Sequence, residues 1–449
     1  MVSSSKRTVN TALIRRAARG GWIAASLLLL TGSAARADST WVDRYRAAQA
    51  AYQAGDLQGF RAGLLRVAAE IGETPGVNYN LACAEARLGD RAEALRRLGL
   101  YAASGLVSNP AADSDLVSLW SDAAFSKIAA RIRANGDSVG VARELHRFQD
   151  AGLLTEDVAY DPKTRSYFAT SVHHGRIVEV LPSGTEREWA DPKAKPGWGV
   201  FAARVDAPRR LLWTSVGAVP TASGYDPADS GRTGLVAWDL QAKRPVRRFE
   251  WPRDGKAHLL GDLTVGPDGT VYACDSPSGA VRVVRPGAAT LETLLPDGTF
   301  RGPQTPALAR DGHRLYVPDY GRGIALVDLA SGKSTWLTFA PGIALQGIDG
   351  LYAYGNDLIA VQNGITPRRV MRFRLDGAGT RVVGASVIES GTHRLGEPTH
   401  GVIVGDKFMF LANTGWERVG RDQILREGDA EAPAILSASL RSPDRKANH

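Results

Sequence analysis

The chain has 449 residues, 44% of them hydrophobic, with 55 basic against 47 acidic side chains and only two cysteines. That length exceeds one ordinary core and predicts two domains. Cys83 and Cys274 fall in segments of different texture, and no CxxC pair or Cys/His cluster occurs. Finger-type zinc sites and a structural disulfide are therefore excluded.

The first 37 residues have the grammar of a secretory signal peptide. Lys6, Arg7, Arg15, Arg16 and Arg19 precede the apolar run "WIAASLLLL", and Ala35-Arg36-Ala37 supplies a small-residue cleavage site. The run is well short of the roughly 20 residues that span a bilayer. A periplasmic or secreted protein is expected. Arg15-Arg16 lacks a following bulky apolar residue, so Sec and twin-arginine export are not distinguished. Cleavage removes six of the 55 basic residues and no acid, leaving 49 against 47. A near-neutral chain without clustered positive charge excludes a nucleic-acid partner. No later segment is apolar enough to span a membrane.

Residues 38–136 are rich in Ala, Leu and Arg at helical spacing. Gly55-Asp56 and Gly89-Asp90 stand 34 residues apart, as do Leu64 and Leu98. That period, with small residues Ala82, Ala84, Ala86 and Ala94 where helices would cross, predicts a small all-α, tetratricopeptide-like domain. It leaves two roles open: a bundle docked on its neighbour, or a groove for a protein partner.

Residues 137–152 read as a linker. From 153 to 443 the texture is short β-rich runs broken by Gly, Pro, Asp and Asn, ahead of a 444–449 tail. Equivalent positions recur at Phe168, Trp213, Tyr272, Tyr316, Ile359 and Phe410, mostly in the mid-forties apart. Six such repeats of three to four strands specify a mainly β fold, a six-bladed β-propeller. The segment 217–233 is an inserted loop, and "PAILSASL" is expected to supply the strand that closes the ring.

In a propeller the innermost strands begin at the central channel, so one register forms a ring at its mouth. That register holds Glu156, Phe201 (or Val200), Gly261, Gln304, Asp349 and Thr399. Glu156, Gln304 and Asp349 offer oxygen ligands suited to a hard cation, and Thr399 a hydroxyl. Asp157, Asp262 and His400 stand one residue on. Carboxylates facing each other across a channel repel unless a cation lies between them; otherwise these acids cap strand ends. A second ring (His173 or His174, Asp275, Asp319, Asn363, Asn413) precedes turns, where Asp and Asn usually bind the turn's own amides.

"EDVAYD", "GDLTVGPDGTVYACDS", "RLYVPDYGRGIALVD" and "GIDGLYAYGNDLIAVQNG" together resemble the gluconolactonase/regucalcin family and its paraoxonase relatives, over roughly 150–440. The resemblance implies a six-bladed propeller holding a divalent cation, usually calcium, and opening lactones or esters. Its ligand positions fall on Glu156, Gly261, Gln304 and Asp349, and a deeper structural calcium matches Asp157 and Asp262. Gly261 and Gln304 depart from the family's asparagines. The implied chemistry is a cation polarising a carbonyl, with Asp349 as general base and His400, His258 or His173-His174 as alternative bases. Phe201, Trp213 and the 217–233 insert are candidates for the substrate wall.

"LASGKST" lacks the first glycine of a phosphate loop, and no G-x-S-x-G, H-E-x-x-H or dinucleotide motif occurs. Two functions stay open: a calcium-dependent lactone or ester hydrolase, and a non-catalytic propeller binding a small molecule or protein, its helical domain recruiting a partner.

Overall fold

The computed structural model describes residues 40–190, 197–426, 428 and 430–441; the signal-peptide segment 1–37 and the 444–449 tail lie outside them. Among the described residues five α-helices come first: α1 (Trp41–Gln53), α2 (Leu57–Ile71), α3 (Pro75–Leu88), α4 (Arg91–Ala103) and α5 (Ala123–Ala134). The 34-residue echo has a local cause. Gly55 and Gly89 both take positive φ, 79° and 90°, and each is followed by an aspartate that caps the next helix. Asp56 accepts from the Gly59 amide and Asp90 from the Glu93 amide. Leu64 and Leu98 are fully buried in the apolar cores that these pairs enclose.

The remaining chain forms six sheets in a ring, a six-bladed β-propeller with one sheet per repeat. Blade 1 runs from Val158 to Ala190, blade 2 from Trp198 to Glu250, blade 3 from Leu260 to Leu295 and blade 4 from Ala307 to Trp336. Blade 5 is built on Ile348–Tyr354, Asp357–Gln362, Arg369–Leu375 and Arg381–Ser390. Blade 6 contains Gly401–Val404, Lys407–Ala412 and Ala434–Ser439.

Alternation along each strand explains why six sheets make one body. In Val271–Asp275, Val271 and Ala273 pack with blade 2 residues, whereas Tyr272 and Cys274 pack with blade 4. Both faces are covered, so these strands read as continuous apolar runs. All six repeat markers lie on second strands. Five face the following blade; in the sixth repeat Met409 does so, and Phe410 faces back to blade 5.

Closure differs from the sequence reading. "PAILSASL" forms the third strand of blade 6, not the closing one. The closing strand is Arg143–Arg147, which pairs with Ala434–Ser439 from Arg143 opposite Ser437 to Arg147 opposite Ala434. Val139–Gly140 adds to the edge of blade 5. The stretch 137–152 is therefore woven into two sheets and does not run free as a linker.

The helices dock against blades 4 and 5. Arg322 donates to the Glu70 carbonyl at 3.3 Å, Val107 N–H to the Thr366 carbonyl at 3.0 Å, and Arg369 to the Ser104 carbonyl at 2.9 Å. Arg369 is 2% exposed, so its contact with the helical region is part of the interior. Among the described residues, no helix is long and apolar enough to cross a membrane.

Candidate functional site

Three innermost strands carry a β-bulge at their channel end: after Val200 in blade 2, after Leu260 in blade 3 and after Ile348 in blade 5. A bulge re-aims side chains and ends regular pairing. Here it falls on Phe201-Ala202, Gly261 and Asp349, the register picked out in the sequence. Gly350 follows because a β-carbon there would lie 2.7 Å from the Tyr352 hydroxyl. That hydroxyl accepts the Gly401 N–H at 2.8 Å, tying blade 5 to blade 6 at the mouth.

Glu156, Asp349 and His400 converge. Each presents one potential ligand atom, and these atoms lie within 4.8 Å of one another. All three are buried, Asp349 and His400 at 1% exposure. His400 Nδ1 lies 2.8 Å from the Glu156 carbonyl oxygen and Nε2 lies 2.8 Å from Asp262 Oδ1. Both partners accept, so the ring donates from both nitrogens and is a fixed imidazolium in this arrangement, not a base. Burial opposes that charge, but Asp349, Tyr352 and Asp262 around it hold the imidazole well above its ordinary range. Thr305 Oγ1 donates to Asp262 Oδ1 at 2.5 Å and Thr399 Oγ1 to the Glu156 carbonyl at 2.7 Å.

Asp157 points elsewhere. Its Oδ1 accepts the Val158 N–H at 2.8 Å and its Oδ2 the Ala203 N–H at 2.9 Å, and Arg204 closes a buried ion pair with it. Gln304 is buried, with its side-chain amide 3.5 Å from the Gly302 carbonyl.

Four acids (Glu156, Asp157, Asp262, Asp349) therefore meet two cations, Arg204 and His400. Asp157 and Asp262 take the cations at contact distance; Glu156 and Asp349 reach His400 only at 3.9 and 4.0 Å. By formal charge two carboxylates are in excess, and of these four acids the same two keep a buried oxygen unbonded. Glu156 Oε2 and Asp349 Oδ1 are buried oxygens without a hydrogen-bond partner, an unusual state in a folded interior. Burial pushes both carboxyls up, His400 partly offsetting it; Asp349 rises to about 6. Asn363 Nδ2 donates to Asp349 Oδ2 at 2.6 Å and leaves Oδ1 free. This donor set fits a hard divalent cation: two free carboxylate oxygens of matching charge, with the Thr399 hydroxyl on the Glu156 carbonyl.

The mouth is roofed by an apolar cluster of Leu154, Val172, Phe201, Val219, Ala222 and Val419. Phe201 thus packs with Val219 and Ala222 of the 217–233 insert and with Val419 and Trp416 from a blade 6 loop. Trp213 does not. It stacks on Phe249 at 5.9 Å between blades 2 and 3, because its marker position faces the next blade and not the channel.

The other candidate bases lie apart. His258 is held between Asp275 at 2.6 Å and Asp254 at 3.0 Å, and Arg282 also reaches Asp275 at 3.1 Å. His173 contacts the Thr221 carbonyl at 2.7 Å, and His174 sits at the rim 3.1 Å from Asp150. In the second ring, Asp319 accepts from the Gly321 amide of its own turn but also from the Arg301 and Gly302 amides of the preceding loop. Asp275 holds His258, Arg282 and the Leu259 amide and not its own turn's amides, and Asn363 belongs to the centre. Sequence reasoning missed Arg204, Tyr352, Asn363 and Trp416. The Asn363 signal was present in the second ring, and its partner became visible only when Asp349 was placed opposite it.

No protein-family model and no curated protein matches the chain. Solved structures similar to it include the PQQ-bound form of an aldose sugar dehydrogenase from Streptomyces coelicolor, at 15% identity and a TM-score of 0.45, over 68% of this chain and 98% of that one. A virginiamycin B lyase from Staphylococcus aureus is similar at 13% and 0.44, over 67% and 99%. A gluconolactonase from Xanthomonas campestris is similar at 14% and 0.42, over 67% and 97%. Likeness at this level says nothing about activity.

Proposed function

We propose that this chain is an exported hydrolase of lactones or related esters that works with a divalent cation, calcium by the nature of its ligands. The observation that carries the reading is the pair of buried, unpartnered oxygens, Glu156 Oε2 and Asp349 Oδ1, in a pocket with two negative charges in excess. Glu156 and Asp349 would hold the ion, with Gln304 and Thr399 as neutral donors and Asp262 behind His400. Bound there, the cation supplies Lewis acidity toward a carbonyl oxygen.

The protein's own groups supply the rest. Asn363 fixes Asp349 Oδ2 and so orients Oδ1 toward the centre, where that oxygen can take a proton from an attacking water. The His400 imidazolium, anchored on Asp262, faces the charge that develops on a substrate oxygen. Phe201, Val219 and Val419 exclude bulk water. Export rests on the signal-peptide pattern of residues 1–37, and we place the protein in the periplasm or outside the cell.

Gly261, which brings no side-chain ligand, favours a second reading: a non-catalytic propeller that binds a small molecule, its tetratricopeptide-like helices holding a protein partner. Thermal unfolding with chelator and then with calcium separates the two. A midpoint that rises with calcium, and fails to rise in Glu156→Gln and Asp349→Asn, supports the cation; turnover of lactones or aryl esters by the wild type alone then supports the hydrolase. No shift with calcium, magnesium or manganese overturns both steps.

A further inference from the structure

A second cavity opens on the same face, beyond Asn363. It has a volume of about 450 Å³ and lies between the 363–368 loop of blade 5 and the 391–396 loop leading into blade 6. That volume is of the size that takes a small organic ligand. No carboxylate lines it, and its polar residues are Asn363, Thr366, Arg368, Thr392 and His393. The Asn363 amide is spent on Asp349 and the Pro398 carbonyl, and the Thr392 hydroxyl on Glu389 Oε1 at 2.6 Å.

Arg368 is the centre of this lining. Its one ion pair is with Glu397 at 3.3 Å. Among the described residues its guanidinium makes no hydrogen bond, and Glu397 Oε2 is itself without a hydrogen-bond partner. A guanidinium carries five donors in a planar fork that matches an oxyanion. Arg372 and Arg369, further along the same blade, instead donate to neighbours at 2.7 to 2.9 Å.

The cavity walls are also held. Gly391 N–H donates to the Arg368 carbonyl at 3.3 Å, joining the two loops. The helical region buttresses both from outside: Val107 N–H binds the Thr366 carbonyl and Ser138 Oγ the Gly391 carbonyl at 2.7 Å. Asn363 is the shared wall, since its amide also holds Asp349.

We infer that this cavity is a subsite for an oxyanion, bound by the Arg368 guanidinium with His393, so that the ligand is an acid whose carboxylate or phosphate lies next to the acidic centre. As an assignment of substrate class, a lactone or ester bearing an acidic group, it rests on the proposed hydrolase; as a binding site it does not.

Isothermal titration of the purified protein with glutarate and with inorganic phosphate tests it. Saturable binding of one of the two is expected, weakened at least tenfold in Arg368→Gln and less in Arg368→Lys, with His393→Ala intermediate. The tighter probe identifies the acidic group as carboxylate or phosphate. Arg374→Gln, an exposed arginine of the same blade outside this cavity, should leave the affinity within twofold. If neither anion binds saturably, or Arg368→Gln in a folded protein binds within twofold of wild type, the subsite is overturned. Anion binding that persists while the calcium response is absent overturns the cation reading alone.

Discussion

Two buried histidines in this propeller sit among carboxylates, and they are not equivalent. Around His258, three cations (His258, Arg282, Lys256) face three acids (Asp254, Asp275, Asp297), with Lys256 on Asp297 at 2.8 Å and the Arg282 guanidinium 3.8 Å over the Trp251 ring. Around His400, four acids face two cations, and two carboxylate oxygens have no partner. In the first, His258, Asp275 and Arg282 are buried while Lys256, Asp254 and Asp297 reach solvent; in the second, all four acids and His400 are buried. The first is closed in charge and needs nothing further. The second is completed only by something the chain does not itself supply. Matching of charge, and not the presence of His and Asp, separates a structural network from a candidate site.

The sharpest test of that contrast is sign. Asp275→Ala strips the shared partner of two buried cations and should destabilise by about 3–5 kcal/mol in urea unfolding. Asp349→Asn should do the opposite at pH 8 in the presence of chelator, stabilising by about 1–3 kcal/mol. The sign follows from linkage. The folded-state carboxyl, near 6, lies above its unfolded value of 3.8, so its favourable contribution is full below that unfolded value and is lost as pH rises through about 6. The gain in Asp349→Asn should therefore vanish below about pH 4. Equal destabilisation by both variants would erase the distinction between the clusters.

Calcium should act on one cluster only. At a hundredfold excess over Kd it should stabilise the wild type by about 2.7 kcal/mol. Asp275→Ala, though weakened, should keep the increment, and Glu156→Gln should lose it. A smaller effect is expected for Tyr352→Phe, which leaves the buried Gly401 N–H without an acceptor and should cost about 1–3 kcal/mol without changing the calcium increment. The last effect is a matter of direction. Burial opposes charge on His258, but Asp275 and Asp254 raise it above its ordinary value, so the stability it contributes is complete below about pH 6.5 and fades as pH climbs through the folded value. His258→Gln should flatten the wild-type stability profile on that alkaline side, as read by thermal unfolding from pH 5 to 9.

The sequence carried the propeller because period-2 burial on both faces leaves apolar runs at a constant spacing, and the channel register because bulge and turn residues recur with it. Glu156, Asp262, Asp349 and His400 were legible for that reason. Their partners were not. Arg204 looks like any strand arginine until Asp157 of the neighbouring blade, 47 residues away in sequence, is placed against it in space. Trp213 misled because an aromatic at a repeat marker packs between blades as readily as it lines a channel. The closing strand was missed because Arg143–Arg147 is exposed over its first half and polar, with nothing in "RELHR" to distinguish an outer edge from a tether.

That strand bears on how the molecule comes into being. Arg143–Arg147 leaves the ribosome before any blade exists, yet its pairing partner, Ala434–Ser439, is made nearly three hundred residues later. Until then the growing ring stays open, with sheet edges at both ends, and its last hydrogen bonds span the greatest sequence distance in the fold, a slow kind of contact to form. During this interval the helical region can already be complete, since its pairs are local. It can hold the waiting strand beside blade 5 through Val139–Gly140 and Ser138. A chain begun at residue 153 would lack both the holder and the strand, and would leave Ala434–Ser439 as a bare edge open to pairing with another molecule.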